Sequence, residues 1–286
     1  LKYLILIIAA IVMVFPFYLM FSSALKTFPD EIITFTWWPA NPRWQNFIDV
    51  LTWLDRPPLW RAFLNSIIVT VSSTLLMLFF SSLTAYALAV YKFRGQKAIL
   101  ILILNTMMIP SLIFFWFPNT IIMISLGWHN TYWALIIPGV VNAYAIFLLR
   151  QYMITIPDEL VEAARMDGCS EFGLYWRIIL PLAKPAIVVA GLINAVFTWN
   201  DFLWPMMVIY GNDIKPLTQA IASQLVEFYG LSPQLPLVAA AMTYATVPLI
   251  IFTFIIQKHF IKSFTELVPK VSQSLVIQTD DNDGGS

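Results

Sequence analysis

Pro157-Asp158-Glu159-Leu160-Val161-Glu162-Ala163-Ala164-Arg165-Met166-Asp167-Gly168-Cys169-Ser170-Glu171-Phe172 is a polar island in an apolar chain. It belongs to a stretch running from Arg150 to Lys184, between an apolar run at 131–149 and another at 186–210. Pro157 followed by two acids suits a first helical turn. The missing N–H is one that would have no partner there, and negative charge meets the positive end of the helix dipole. Leu160, Ala163, Ala164 and Met166 supply an apolar or small face. Gly168 suits the C-terminal stop, because glycine takes the left-handed conformation without a Cβ penalty. Ser170 with Glu171 can start a second helix, along which Phe172, Trp176, Ile179 and Leu180 recur at helical spacing. The stretch therefore predicts two short helices joined by a turn at Gly168-Cys169, forming a surface knob shaped to receive another protein.

Working outward, the flanking runs set the fold class. Of 286 residues, 59% are hydrophobic and 11% charged, against roughly 25% charged in an average soluble domain. Mean hydropathy is +0.77. A membrane helix needs about 20 mostly apolar residues, and six stretches qualify: 3–24, 63–91, 98–124, 131–149, 186–210 and 237–256. The chain reads as an all-α integral membrane protein with six spans. The first run is long for a signal peptide and is expected to be a retained anchor. Ser72, Ser73, Ser81 and Ser82 suit close helix contacts in lipid.

Six spans leave both termini on one side, and Lys/Arg bias assigns that side to the cytoplasm. It would hold eleven basic residues, including Lys92, Arg94 and Lys97 in one short loop, against five outside. The outer segments, 25–62 and 211–236, are long. Trp37, Trp38, Trp44, Trp53 and Trp60 in the first suit headgroup anchoring, with sugar stacking as the alternative. Acids and bases balance at 16 each, which leaves no basic footprint for nucleic acid. One cysteine, Cys169, and two distant histidines, His129 and His259, offer no disulfide or zinc set. No catalytic group and no metal site is expected.

The knob carries a resemblance. Glu162-Ala163-Ala164, three residues, Gly168, nine residues and Ile178-Ile179-Leu180-Pro181 meet every fixed position of the EAA loop of ABC-importer permeases. Met108-Ile109-Pro110, Phe147-Leu148-Leu149-Arg150-Gln151, Ile156-Pro157-Asp158-Glu159-Leu160 and Trp199-Asn200-Asp201-Phe202 are similar to the carbohydrate-uptake subfamily, and within it to the smaller permease of the maltose type. The likeness runs from about residue 1 to about 265. The tail departs: Gln257, Phe260 and Thr265 fit, but Ser263 replaces a glycine and Glu266-Leu267-Val268-Pro269-Lys270 replaces the usual end.

The resemblance implies a type I ABC importer permease fold in a bacterial or archaeal inner membrane. It divides the chain into 1–62 (first span and external loop), 63–265 (permease core, coupling loop at about 157–181) and 266–286 (tail, read as partly disordered). The implied partners are a second homologous permease, two ATPase subunits and an external binding protein, besides the bilayer. Glu162, Ala163, Ala164, Asp167, Gly168, Leu180 and Pro181 would form the ATPase-coupling loop. An intrahelical pair of Glu162 with Arg165 is the local alternative. The only Gly-x4-Gly spacing, Gly168 to Gly173, is followed by Leu174-Tyr175 instead of Lys-Ser/Thr, so ATP and Mg would bind to partner subunits.

Polar residues within apolar runs mark a candidate substrate pathway. Asp201 falls about 22 Å along a helix from Ala186. Asn194, Trp199 and Asn200 join it, with Asn142, Asn105 and Asn119 as weaker candidates. Asn amides both donate and accept, which suits sugar hydroxyls. The expected cargo is a sugar or oligosaccharide. Alternatives are a polyol, glycerol phosphate or an acidic saccharide and, from another class, ion-coupled transport without an ATPase. The outer segment from Asn212 to Pro236, with Gln219, Gln224, Glu227 and Tyr229, is expected either to contact the binding protein or to rest on lipid.

Overall fold

The computed structural model describes residues 2–27, 36–53, 58–109, 115–211, 213–227 and 235–254. Every regular element among them is helical. In chain order they are α1 (Lys2–Ala24), α2 (Gln45–Trp53), α3 (Leu59–Val90), α4 (Gln96–Met108), α5 (Trp116–Ser125), α6 (Tyr132–Ile136) and α7 (Ala143–Met153). Then follow α8 (Asp158–Met166), α9 (Glu171–Leu182), α10 (Lys184–Asn200), α11 (Leu203–Val208), α12 (Leu217–Glu227) and α13 (Leu235–Phe254). Among the described residues, three helices, α1, α3 and α13, are long and apolar enough to cross a membrane, or up to five if each of two bent pairs counts as one span.

The bends depart from the straight runs read in the sequence. The run 131–149 is α6, a 3-10 turn at Ile137–Gly139 and α7, with a 41° change of direction. Pro138 supplies no N–H, and Asn142 starts α7 afresh by accepting from the Ala145 N–H at 3.0 Å. The run 186–210 is α10 and α11, broken at Asp201-Phe202. The run 98–124 comprises α4 and α5, with 110–114 outside the described residues.

The 32-residue α3 is the axis. Its buried face is mostly small or polar, with Ala62, Asn65, Ser66, Thr70, Ser73, Ser81, Ser82 and Ala85, and larger residues Leu59, Val69, Met77, Tyr86 and Leu88 among them. Its exposed face is Leu64, Ile67, Ile68, Val71, Leu75, Phe79 and Phe80. That arrangement inverts a soluble helix, and it suits lipid, where small residues let helices approach and large ones face the acyl chains. Both α7 and α10 pack on the small face. Gly191 of α10 lies so close to α3 that a Cβ there would come within 3.0 Å of Leu78 Cδ1.

Both ends of α3 are pinned. At one end, Asn65 donates to the carbonyls of Asp213 and Lys215 at 3.0 Å each and accepts from the Tyr132 hydroxyl at 2.7 Å. Ser66 accepts from the Leu217 N–H at 2.8 Å. At the other end, the Leu88 carbonyl accepts from Gln96 Nε2 at 2.8 Å and from Arg150 Nε at 3.0 Å. Helix ends leave carbonyls without intrahelical partners, and these two side chains both satisfy that of Leu88.

α1 stands apart, with residues 2–18 exposed within this chain. Its C-terminal part meets the tryptophans: Ser22 Oγ donates to the Trp37 carbonyl at 2.7 Å, and Phe21 packs on Trp44 and Phe47 with centroids 6.2 and 5.8 Å apart. Asn46 Nδ2, buried, donates to the carbonyls of Ala24 and Lys26. Trp37, Trp38, Trp44 and Trp60 all remain about half exposed, the arrangement of amphipathic rings at a membrane surface.

The α3–α10 contact predicts that Gly191→Leu lowers the stability of the assembled protein by about 1–3 kcal/mol, and Gly191→Ala by less. Thermal unfolding of the detergent-solubilised complex measures it.

Candidate functional site

The knob forms as two helices. Pro157, at φ −57°, precedes α8, and Asp158 and Glu159 occupy its first turn. Three backbone bonds end it: the N–H groups of Asp167, Gly168 and Cys169 donate to the carbonyls of Ala163, Arg165 and Ala164, each at 3.0 Å. The last two make a Schellman turn, and Gly168 supplies its left-handed residue at φ +78°. A Cβ at Gly168 would meet nothing within 4 Å in this chain, so the glycine answers a backbone requirement alone. Ser170 Oγ then accepts from the Gly173 N–H at 3.2 Å and caps α9.

α9 contains a turn the sequence reading missed: Tyr175–Ile179 is π-helical. Pro181 explains it. An α-type ladder would need an N–H that Pro181 lacks and would press its ring on the Arg177 carbonyl. A widened turn relieves both, and the Leu180 N–H bonds to the Tyr175 carbonyl instead. α9 and α10 then meet at 77°.

α8 has two apolar faces. Val161 and Ala164 are buried against Leu149, Met153, Leu174, Tyr175 and Ile179. Leu160 and Met166 are exposed, as are Phe172 and Trp176 of α9. Glu162, Ala163, Asp167 and Gly168 lie on the exposed side with them. So of the two alanines, Ala164 packs inside the chain and only Ala163 is presented outward. Leu180 is half-buried and Pro181 exposed.

Arg165 does not pair with Glu162. Its Nε and Nη2 reach Glu171 Oε1 and Oε2 at 2.9 and 3.2 Å. The hydroxyls of Tyr91 and Tyr86 donate to the same Oε2 at 2.7 and 3.0 Å. The Arg165 guanidinium first, and the Tyr91 hydroxyl next, hold the Glu171 carboxyl below the usual carboxylate range. Burial, then the bond to Glu171, pushes the Tyr91 hydroxyl up. A lowered carboxyl favours this structure above the unfolded-state value of 4.5 and loses that contribution only as pH falls through the folded one. The cluster is therefore intact at neutral pH. The sequence marked Glu171 only as a helix-starting acid; its partners come from 6 to 85 residues away.

Away from the knob, a cavity of about 640 Å³ opens between α3, α4, α5, α7, α10 and α11. Asn142, Asn194 and Asp201 line it, with Asn119, Thr106 and Thr198. Each of the first three also has a structural bond. Asn142 caps α7, Asn194 Nδ2 donates to Thr74 Oγ1 at 3.0 Å, and Asp201 Oδ1 accepts from the Trp204 N–H at 3.3 Å. Trp199 and Asn200 are not among the lining residues. Trp199 is buried, edge-on to Phe63 at 5.4 Å, and donates to the Ala245 carbonyl at 3.1 Å. Asn200 bonds back to the Val196 carbonyl at 2.8 Å. Successive helical residues point about 100° apart, and the helix ends at Asn200, so Asn200 and Asp201 face different ways.

The outer segment is more built-in than a loop. Leu217, Ala220 and Ile221 of α12 are buried, and Gln219 Nε2 donates to the Ile209 carbonyl at 3.1 Å. The side chains of Gln224 and Glu227, and residue Tyr229, lie outside the described residues.

Among the described residues the chain is helical and suited to lipid, with a two-helix knob and a largely apolar cavity dotted with amides and hydroxyls, an arrangement that suits the transmembrane part of a transporter. Residues 77–266 match the family model described as binding-protein-dependent transport system inner membrane component, and the chain belongs to that family. It is 37% identical over 233 residues to the arabinooligosaccharides transport system permease protein AraQ of Halalkalibacterium halodurans, covering 82% of this chain and 81% of that one. The sn-glycerol-3-phosphate transport system permease protein UgpE of Shigella flexneri is 29% identical, with 91% and 94% covered. A solved chain of a bacterial ABC transporter involved in the import of the acidic polysaccharide alginate aligns with a TM-score of 0.80 at 25% identity, covering 91% of this chain and 95% of that chain.

The φ of Gly168 predicts a graded series. Gly168→Val should strain the turn by about 1–2 kcal/mol, and Gly168→Asn by less, since Asn visits this region. Membrane insertion should survive in both, while coupled uptake falls in the order Gly, Asn, Val. Reconstituted uptake assays measure that order.

Proposed function

We propose that this chain is one half of the pore of an ATP-driven carbohydrate importer, with six spans and both termini in the cytoplasm. Residues 1–62 form the first span and external loop, 63–265 the permease core, and 266–286 the cytoplasmic tail. It sits in a bacterial or archaeal inner membrane beside a second, homologous permease. Two ATPase subunits take the knob, and an external binding protein delivers cargo. ATP and Mg belong to the ATPases.

The observation that carries this reading is the family match, which spans the knob, together with the large apolar side chains Leu160, Met166, Phe172 and Trp176 that the knob exposes among its charged residues. Leu160, Ala163, Met166 and Phe172 would enter a cleft of the ATPase, with Glu162 and Asp167 meeting basic groups at its rim. Gly168, Leu180 and Pro181 set the shape of the knob. As the ATPases close on ATP, the knob tilts and the core turns between inward-open and outward-open states.

For cargo, the arabinooligosaccharide relative favours a neutral saccharide. The cavity agrees: among the described lining residues, most of the surface is apolar, the polar groups are amides, hydroxyls, two indoles and one carboxylate, and there is no Lys or Arg. A phosphate or uronate would meet Asp201 without a compensating cation. The glycerol-phosphate and alginate relatives keep an anionic cargo as the second reading.

Reconstitution of both permeases with the ATPases should give ATP- and binding-protein-dependent uptake of a neutral oligosaccharide in liposomes. Uptake by the permeases without ATPase would overturn the reading, and preference for glycerol phosphate would select the second one.

With Cys169 replaced by serine, cysteines at Asn119 or Thr198 should react with a polar maleimide in at least one transport state. A cysteine at the buried Ala190 should not. Labelling of position 190 alone would show that the cavity is not the path.

A further inference from the structure

We propose that Glu171 is a positioning residue that makes the knob and the adjoining end of α3 move as one body. The proposal rests on the reading of the knob as the ATPase-docking element. Three separate segments converge on the Glu171 carboxylate. Arg165 comes from the end of α8, Glu171 itself opens α9, and Tyr86 and Tyr91 come from the end of α3. Four bonds of 2.7 to 3.2 Å reach its two oxygens. A fifth, at 3.3 Å, joins the Tyr86 hydroxyl to the Glu171 backbone carbonyl. The Arg165 guanidinium also lies 5.9 Å from the centroid of the Tyr91 ring.

These bonds do what the apolar contacts beneath them cannot. Val161 and Ala164 rest on Leu174, Tyr175 and Ile179 through contacts that allow sliding, since dispersion has little directionality. A bidentate guanidinium–carboxylate pair fixes both distance and orientation. The two tyrosines extend that fixed geometry to α3, and a buried bond of 2.7 Å between Ser82 Oγ and Tyr175 Oη adds a second strut from α9 to the same helix. A push on the knob is thus passed to α3, which carries it to Asn65 and the segment that Asn65 holds. Without the carboxylate the knob could tilt while α3 stays behind.

The test uses the complete transporter, with both permeases, ATPases and binding protein in liposomes. In Glu171→Gln the ATPase subunits should still co-purify, while oligosaccharide taken up per ATP hydrolysed falls about tenfold. Tyr91→Phe, which keeps the ring and removes one donor, should fall in the same direction by less. Adding Tyr91→Phe to Glu171→Gln should cost little more, since groups that act as a unit are not additive. An unchanged ratio of uptake to ATP in Glu171→Gln overturns the inference. So does loss of the ATPase subunits in that variant, which would make Glu171 part of docking itself. The underlying reading is tested separately by Met166→Asp with Phe172→Ser on the exposed side. Retained ATPase binding and normal uptake there would refute the docking role of the knob, whatever Glu171 does.

Discussion

The structure depends on one requirement: a helix in lipid must bury its polar groups against other helices. α3 meets it along its whole length. Its hydroxyls and amides face inward and its leucines, isoleucines and phenylalanines outward. From Asn65 to Tyr86 is 21 residues, or about 30 Å at 1.5 Å per residue, close to the thickness of a bilayer core. Both residues tie α3 to other segments by side-chain bonds. These polar anchors thus fall a membrane's thickness apart, and between them Thr74 and Ser82 add single bonds to close packing. The helix itself is longer, and its excess carries Tyr91 out to the knob.

Much of this was legible. Apolar runs of about 20 residues placed the apolar helices, though not their breaks, and the serines of α3 marked its packing face. The knob was legible in finer detail, because helix caps and turns are local: Pro157, Gly168 and Ser170 each act within a few residues. Less was legible where a bond spans the chain. Nothing near Glu171 signals Tyr86, and Trp199 looked like a pathway aromatic until Phe63 and Ala245 closed around it. Composition alone cannot say which face of a helix an indole occupies. The same ambiguity paired Asn200 with Asp201, although a break in the helix sends them different ways.

The knob also shows why an amphipathic pattern can mislead. α8 was read with one small face. The structure gives it two, with Ala164 packed within the chain and Ala163 turned outward. The docking role proposed for the knob needs both. The inner face and the Glu171 cluster join it to the membrane helices, and the outer face is left for a partner. A helix with a single apolar face could satisfy only one of these, so two adjacent alanines serve two different surfaces.

The interrupted helices bear on where solute can pass. A straight span satisfies its own backbone; a broken one leaves N–H and C=O groups without intrahelical partners. In a membrane, irregular backbone is tolerated only where it is buried in protein or lines a water-filled cavity. Here the interruptions at Pro138, Gly139 and Asn142, and at Asp201, all border the same cavity. Asn142 and Asp201 each restart a helix by accepting a backbone N–H. They stand beside the cavity because the chain breaks there, and the break is tolerable because the cavity is there. Their polarity therefore has a structural origin of its own, and any solute that enters the cavity meets groups already fixed in place by the backbone they cap.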